Sequence, residues 1–190
     1  MKEEFTHIYD NEKWGKNKGS GDGSRPKFNE DYIPFLEDFL KTNKIKNVID
    51  FGCGDWQFSQ YVDWGDIDYL GLDIVDSVIE KNKERFPNHK FVSDTNVFNH
   101  LEGRELIIIK DVFIHWPNEV IVEFMDKLIQ YDIKILTVND VGQSKNRMLK
   151  RVGGFSRLDY DMYPLNKYNG KLIFTYKSNA IKQVTYYERK

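Results

Sequence analysis

The 190-residue chain has one cysteine and five prolines, no long apolar run, and charges that nearly cancel, with 28 Lys and Arg against 30 Asp and Glu. Each shortage removes a class of protein. Cys53 alone can close no intramolecular disulfide and build no cysteine-rich zinc site, so packing must hold the core, and a reducing, cytoplasmic location is expected. A net charge of -2 is not the basic footprint of a dedicated nucleic-acid binder, which leaves only a local basic patch for that role. No apolar stretch approaches the roughly 18 residues of a membrane span. The first residues, Met1-Lys2-Glu3-Glu4-Phe5-Thr6-His7, lack the continuous apolar segment of a secretion signal. No repeat, low-complexity tract or linker divides the chain, so residues 1–190 are expected to form a single domain, burying roughly 70% of the surface exposed on unfolding.

What the sequence does have is 15% aromatic residues and a regular succession of apolar segments. Residues 11–28, with Trp14, Gly15, Gly19, Gly21, Gly23 and Pro26, cannot hold a regular helix or strand and read as a surface arm or lid (residues 1–28). Tyr32, Phe35, Leu36, Phe39 and Leu40 then fall on one helical stripe, with Pro34 near its first turn. Short apolar runs follow at 48–51, 69–72, 90–92, 106–109 and 133–138. They are continuous rather than alternating, as parallel strands covered on both faces require. Between them the clearest helix begins after Pro117, where Val120, Ile121, Phe124, Met125 and Leu128 share a face. The runs 172–176 and 183–187 are joined by only Lys177-Ser178-Asn179-Ala180, too short for a crossover helix, so they must pair antiparallel. The expected fold is therefore α/β: a Rossmann-like, seven-stranded, mostly parallel sheet with helices on both faces and a C-terminal antiparallel hairpin.

The sharpest local signal is Val48-Ile49-Asp50-Phe51-Gly52-Cys53-Gly54-Asp55-Trp56, a buried strand entering a glycine turn that is expected to open a helix. Ligands of open α/β sheets bind outside the carboxyl ends of the strands, and glycines there let backbone approach them. The second strand ends in Asp73, about 20 residues on, where a carboxylate meets a ribose diol. The two signals together point to a nucleoside cofactor without choosing it. A dinucleotide turn wants a third glycine where Gln57 stands, and an adenosyl turn wants one where Trp56 stands.

The helix before the first strand, Asp94 after the third, and the closing antiparallel hairpin favour the adenosyl cofactor. Together they resemble the class I S-adenosylmethionine-dependent methyltransferase family from about Tyr32 to Lys190. That resemblance implies an S-adenosylmethionine cofactor, leaving S-adenosylhomocysteine as product. Asp50, Gly52, Cys53 and Gly54 would surround its methionine part, Asp73 would hold the ribose, Ile74 would pack on the adenine, and Asp94, with Thr95 beside it, would accept from the adenine amino group. Lys110, Asp111 and Val112 would face the sulfonium and the acceptor. The indole of Trp56 would wall the pocket. Three further segments, Tyr9 to Gly15 with Ser20-Gly21-Asp22-Gly23-Ser24, Asp111 to Pro117, and Arg157-Leu158-Asp159, resemble a subgroup of small methyltransferases associated with glycan synthesis.

Methyl transfer from a sulfonium needs a positioned nucleophile and, for a hydroxyl, a base. His115, with Asp111 beside it, is the candidate base because imidazole titrates near neutrality. The competing reading is that His115 caps the helix after Pro117. Asp111, Asn139 and Asp140 offer oxygens that Mg²⁺ accepts, an arrangement like that of catechol-type O-methyltransferases, but these residues are also common turn formers and no metal is expected. Trp116, Asp140, Arg157 and Asp159 are the expected acceptor contacts, within a substrate loop spanning 141–170. In that loop Lys145, Arg147, Lys150, Arg151 and Arg157 form a run without acids, suited to anionic groups or simply to solvent. Gly153-Gly154 would make a mobile elbow, Asp159 would orient Arg157, and Tyr160 to Tyr163 would offer surface to a sugar. Trp14 would fold over the cofactor with the arm. The expected activity is O-methylation of a sugar or other small polar acceptor. The alternatives are methylation of RNA or a nucleotide, and a non-catalytic binding protein on the same fold.

Overall fold

The computed structural model describes residues 1–17, 19–142, 146 and 148–189. Seven strands, β1 (Asn47–Phe51), β2 (Asp68–Asp73), β3 (Lys90–Ser93), β4 (Leu106–Lys110), β5 (Lys134–Val141), β6 (Lys171–Lys177) and β7 (Ile181–Tyr187), form one sheet in the order β3-β2-β1-β4-β5-β7-β6. The first five run parallel, and β7 inserts antiparallel between β5 and β6. Among the described residues four α-helices accompany them: α1 (Lys2–Asp10), α2 (Tyr32–Thr42), α3 (Asp76–Arg85) and α4 (Asn118–Leu128). The expected fold class is the observed one.

The continuous apolar runs are explained by two cores. Ile49, Phe51, Ile107 and Ile109 face one way, onto α1 and α4, while Val48, Leu106 and Ile108 face α2 on the other side. Each fully buried aliphatic side chain contributes roughly 1.5–3 kcal/mol of transfer free energy, so a strand apolar at every position is stabilised from both faces.

Two expectations fail. The glycine turn opens no α-helix; only a 3-10 turn, Ser59–Tyr61, follows it. Trp56 is held at a φ of 58°, and Trp56, Phe58 and Trp64 all drop into the core on the α2 side, which a helix running away from the sheet would prevent. In the other direction, α1 is a helix the sequence did not advertise. It buries only Phe5 and Ile8, too few apolar positions for a periodic signal. Ser144, Lys145 and Arg147 of the expected basic run lie outside the described residues.

Candidate functional site

The carboxyl ends of the parallel strands open into a cavity of about 520 Å³, within the range of about 300–1,000 Å³ typical of small-ligand sites. One half is built mainly of backbone. Gly52 and Gly54 have φ of 76° and 54°, a region costly for residues with a Cβ. A Cβ on Gly52 would lie 2.4 Å from Val112 Cγ2, and one on Gly54 2.2 Å from Ser20 Oγ. Neither position has room for a side chain, because Val112 and Ser20 pack directly on the backbone of the turn. Asp73 closes this half: Gly54 N–H donates to its Oδ2 at 3.1 Å and Val75 N–H to its Oδ1 at 3.0 Å. Burial raises its pKa while these amides oppose the rise. Each carboxylate oxygen keeps a further lone pair for a ligand. Ile74, Thr95, Asn96, Val97 and Phe98 continue the wall.

The other half is made of side chains from distant parts of the chain. Lys182 Nζ, on β7, donates to Asp111 Oδ1 at 2.7 Å and makes a short bond to Asp140 Oδ1. Lys110 Nζ donates to Asp111 Oδ2 at 2.6 Å and to the Gly23 carbonyl at 3.0 Å. Burial pushes the Asp111 carboxyl up, but the two ammoniums override it and hold its pKa at about 2. Asp111 itself has a φ of 58°, the kind of strain that surrounding bonds must maintain. Burial likewise lowers Lys110, whereas on Lys182 the two carboxylates outweigh burial and the pKa is raised. The Lys182 ammonium lies between Asp111 and Asp140, where a divalent cation bridging these carboxylates would have to sit. Among the described residues no group of three His, Cys, Asp or Glu has metal-binding geometry.

His115 lines the same half. Its Nδ1 lies 2.7 Å from the Gly154 carbonyl, which can only accept, so Nδ1 carries the proton and Nε2 is the acceptor. Burial lowers its pKa, so the ring is neutral at pH 7. The capping alternative is not what the geometry shows, because the ring bonds to the Gly153-Gly154 segment and not to the amides of α4. The same bonds correct the mobile elbow: Gly153 N–H donates to His115 O at 2.9 Å and Ser156 N–H to Ile114 O at 2.8 Å, pinning the segment.

The cavity thus gathers Trp14, Gly52, Gly54, Asp73, Ile74, Thr95, Lys110, Asp111, Val112, His115, Trp116 and Asp140 from the sequence-based candidates. Others do not line it. Asp50 shares strand parity with Val48, so its carboxyl turns beneath the sheet and accepts from Tyr69 Oη at 2.7 Å. Cys53 is buried with Sγ against Gly71. Asp94 is occupied locally, accepting from Asn96 N–H, Asn99 Nδ2 and His100 Nε2. Trp56 is no pocket wall: it is 3% exposed, and its indole N–H donates to Tyr69 Oη at 2.7 Å. Arg157 and Asp159 do not pair with each other. Asp159 Oδ1 accepts from Asp161 N–H at 3.4 Å instead.

Lys182 was missed. It is 1% exposed, and its strand position matches Val184, which a residue-by-residue reading of β7 could have flagged as a charge on the core face.

The arm roofs both halves. Tyr9 Oη and Ser20 Oγ are 2.7 Å apart, Asp55 N–H donates to Ser20 Oγ at 2.9 Å, and the Trp14 ring lies 5.1 Å from the His115 ring at 31°.

No protein-family model matches the chain, and no curated protein sequence matches it. Solved structures do. The Synechocystis magnesium protoporphyrin IX methyltransferase with bound SAH is 14% identical with a TM-score of 0.61, covering 85% of this chain and 83% of that one. An O-methyltransferase from neocarzinostatin biosynthesis, in complex with S-adenosyl-L-homocysteine and a dihydroxynaphthoic acid, is 14% identical with a TM-score of 0.58, over 88% of this chain and 60% of that one. A protein solved in connection with the conversion of a disulfide bond into a thioacetal group during echinomycin biosynthesis is 11% identical with a TM-score of 0.68, over 100% of this chain and 93% of that one. The chain has the fold of class I S-adenosylmethionine-dependent methyltransferases.

Proposed function

We propose that the protein is an S-adenosylmethionine-dependent methyltransferase that methylates a hydroxyl oxygen of a small polar acceptor, a sugar or glycan precursor in the cytoplasm being the preferred case. The observation that carries this reading is the continuity of one cavity from Asp73 and the glycine turn to a neutral histidine with a free ring nitrogen. The cofactor fits the first half: Gly52 and Gly54 bring bare backbone to the cavity lining, and Asp73 retains acceptor capacity for two ribose hydroxyls. Ile74 and Phe98 offer apolar contact to an adenine, while Thr95 and Asn96 offer polar groups in the role that the family resemblance implies for Asp94.

When bound, the cofactor supplies a methyl group activated on a sulfonium. His115 Nε2 takes the proton as the acceptor hydroxyl becomes a nucleophile, and the Gly154 carbonyl fixes the ring tautomer. Trp14 covers the imidazole and, with the arm, excludes water. Phe155, 49% exposed at the cavity edge, gives a sugar face an aromatic surface to rest on.

Isothermal titration with S-adenosylmethionine, and separately with NAD, tests the reading. Micromolar binding of the adenosyl cofactor alone, about 8 kcal/mol, is expected, with at least a 100-fold loss in Asp73→Ala, whose two ribose hydrogen bonds to a charged group are worth about 1.5–3 kcal/mol each. Radiolabelled methyl transfer to a panel of sugars, phenols and short RNAs then identifies the acceptor. Binding of NAD, or of neither ligand, overturns the proposal.

A further inference from the structure

The acceptor half contains an ammonium with one donor to spare. Lys182 is 1% exposed and lines the cavity, yet among the described residues only two of its three N–H groups have acceptors, Asp111 Oδ1 and Asp140 Oδ1. Lys110, its neighbour, differs. Two of its N–H groups go to Asp111 Oδ2 and the Gly23 carbonyl, and its remaining side faces the Phe58 ring, 4.9 Å from the centroid. A buried ammonium lacking a partner for one N–H loses hydrogen-bond energy unless a ligand oxygen supplies it.

We propose that Lys182 is a catalytic residue of the reaction above, holding the acceptor's reacting oxygen through its third N–H and stabilising the negative charge that grows there, so that the acceptor is a hydroxyl that reacts as an oxyanion. This rests on the methyltransferase reading. The O–H bond breaks toward His115 Nε2, and the freed oxygen electron pair forms the new O–CH₃ bond. The C–S bond electrons stay on the departing sulfur, and the imidazolium later gives its proton to water. Lys182 transfers no proton. It acts as a fixed positive charge in a water-poor site, where such charges stabilise a developing oxyanion most strongly. Asp111 and Asp140 are its positioning residues: they orient the ammonium and keep it charged. His115 lies in the same field, since Asp111, Asp140 and Lys182 all act on its proton affinity. A cation here performs for the acceptor oxygen what a bound metal performs elsewhere, with a resident side chain.

The test uses 4-nitrophenol, whose phenolate form is coloured, titrated spectroscopically with the full-length protein and S-adenosylhomocysteine. The wild type is expected to lower the apparent pKa of the bound phenol by at least one unit and to prefer the phenolate at least tenfold. In Lys182→Met this preference disappears while S-adenosylhomocysteine affinity is retained. Because Lys182→Met leaves two buried carboxylates facing each other, the charge-balanced Lys182→Met/Asp140→Asn variant is measured alongside, and the same loss is expected. If wild type binds S-adenosylhomocysteine but leaves the phenol's ionisation unshifted, or if the balanced variant shifts it as the wild type does, the role of Lys182 is overturned and the methyltransferase reading survives. If wild type binds no S-adenosylhomocysteine, the methyltransferase reading fails first and the Lys182 assignment falls with it.

Discussion

The two halves of the cavity solve different problems with different parts of the chain. The half around Gly52, Gly54 and Asp73 is built mainly from backbone amides and one carboxylate between Gly52 and Val75, on the rigid carboxyl ends of β1 and β2. The half around His115 is assembled from side chains of the arm, β4, β5 and β7 with the backbone carbonyl of Gly154, and its charges are tied in the chain Lys110–Asp111–Lys182–Asp140. Backbone recognition suits a ligand of constant shape. Side chains contributed by separate segments can change one at a time, which suits an acceptor that differs between proteins sharing this fold.

The sharpest way to break the comparison is to remove His115. If the halves are independent, His115→Ala lowers kcat by about 10²–10⁴-fold, the usual contribution of a general base, and leaves the S-adenosylmethionine Kd unchanged. Burial lowers the pKa of His115, so the neutral, proton-accepting ring persists below the ordinary histidine range. The wild-type rate should therefore be flat through neutral pH and fall only in acid, as the ring takes up a proton. That acid limb should vanish in the variant. An equal loss of cofactor affinity would show that the halves are one coupled unit.

How much of each half could be read from the sequence follows from the same contrast. The sheet and the glycine turn were legible because they depend on neighbours along the chain: continuous apolar runs, a strand entering glycines, an acid at the end of the next strand. Lys182 was not, because only the insertion of β7 beside β5 brings it to Asp111, 71 positions away in the sequence. The position of Asp94 after β3 suits an adenine contact, yet local geometry claims its oxygens for Asn96, Asn99 and His100. Asp50 was misplaced for a simpler reason. Strand alternation fixes its side, and β1 turns Val48 and Asp50 to the face away from the cavity.

Asp50 gives the second test, because it lies under the cofactor half without touching it. Burial raises its pKa from 3.8 to about 6, against the hydrogen bond from Tyr69. An acid with a raised folded pKa binds its proton more tightly in the native state. It imposes no penalty below about pH 4, a growing one as pH rises through the window, and a constant one above about pH 6. The shift corresponds to about 3 kcal/mol. In urea titrations between about pH 4 and 7, Asp50→Asn should gain stability relative to wild type as pH rises, by up to about 3 kcal/mol, with cofactor affinity unchanged at neutral pH. A difference independent of pH would mean that Asp50 is not the buried acid described.

The smallest effect asks what Trp56 does where the family pattern leads one to expect glycine. Its indole N–H donates to Tyr69 Oη at 2.7 Å, and Tyr69 in turn donates to Asp50 Oδ2 at 2.7 Å, so a three-member relay ties the left-handed residue after the turn to the strand before it. Trp56→Phe keeps the apolar packing against Phe86 and Phe91 but leaves the Tyr69 oxygen without its donor. The expected loss is about 1 kcal/mol in the free energy of unfolding, the ordinary worth of one buried hydrogen bond. S-adenosylmethionine should bind the variant as tightly as wild type. A weakened Kd without lost stability would return Trp56 to the ligand side of the turn. The expected opposite result means that the indole braces the cofactor half from below, so that the glycines alone need face the ligand.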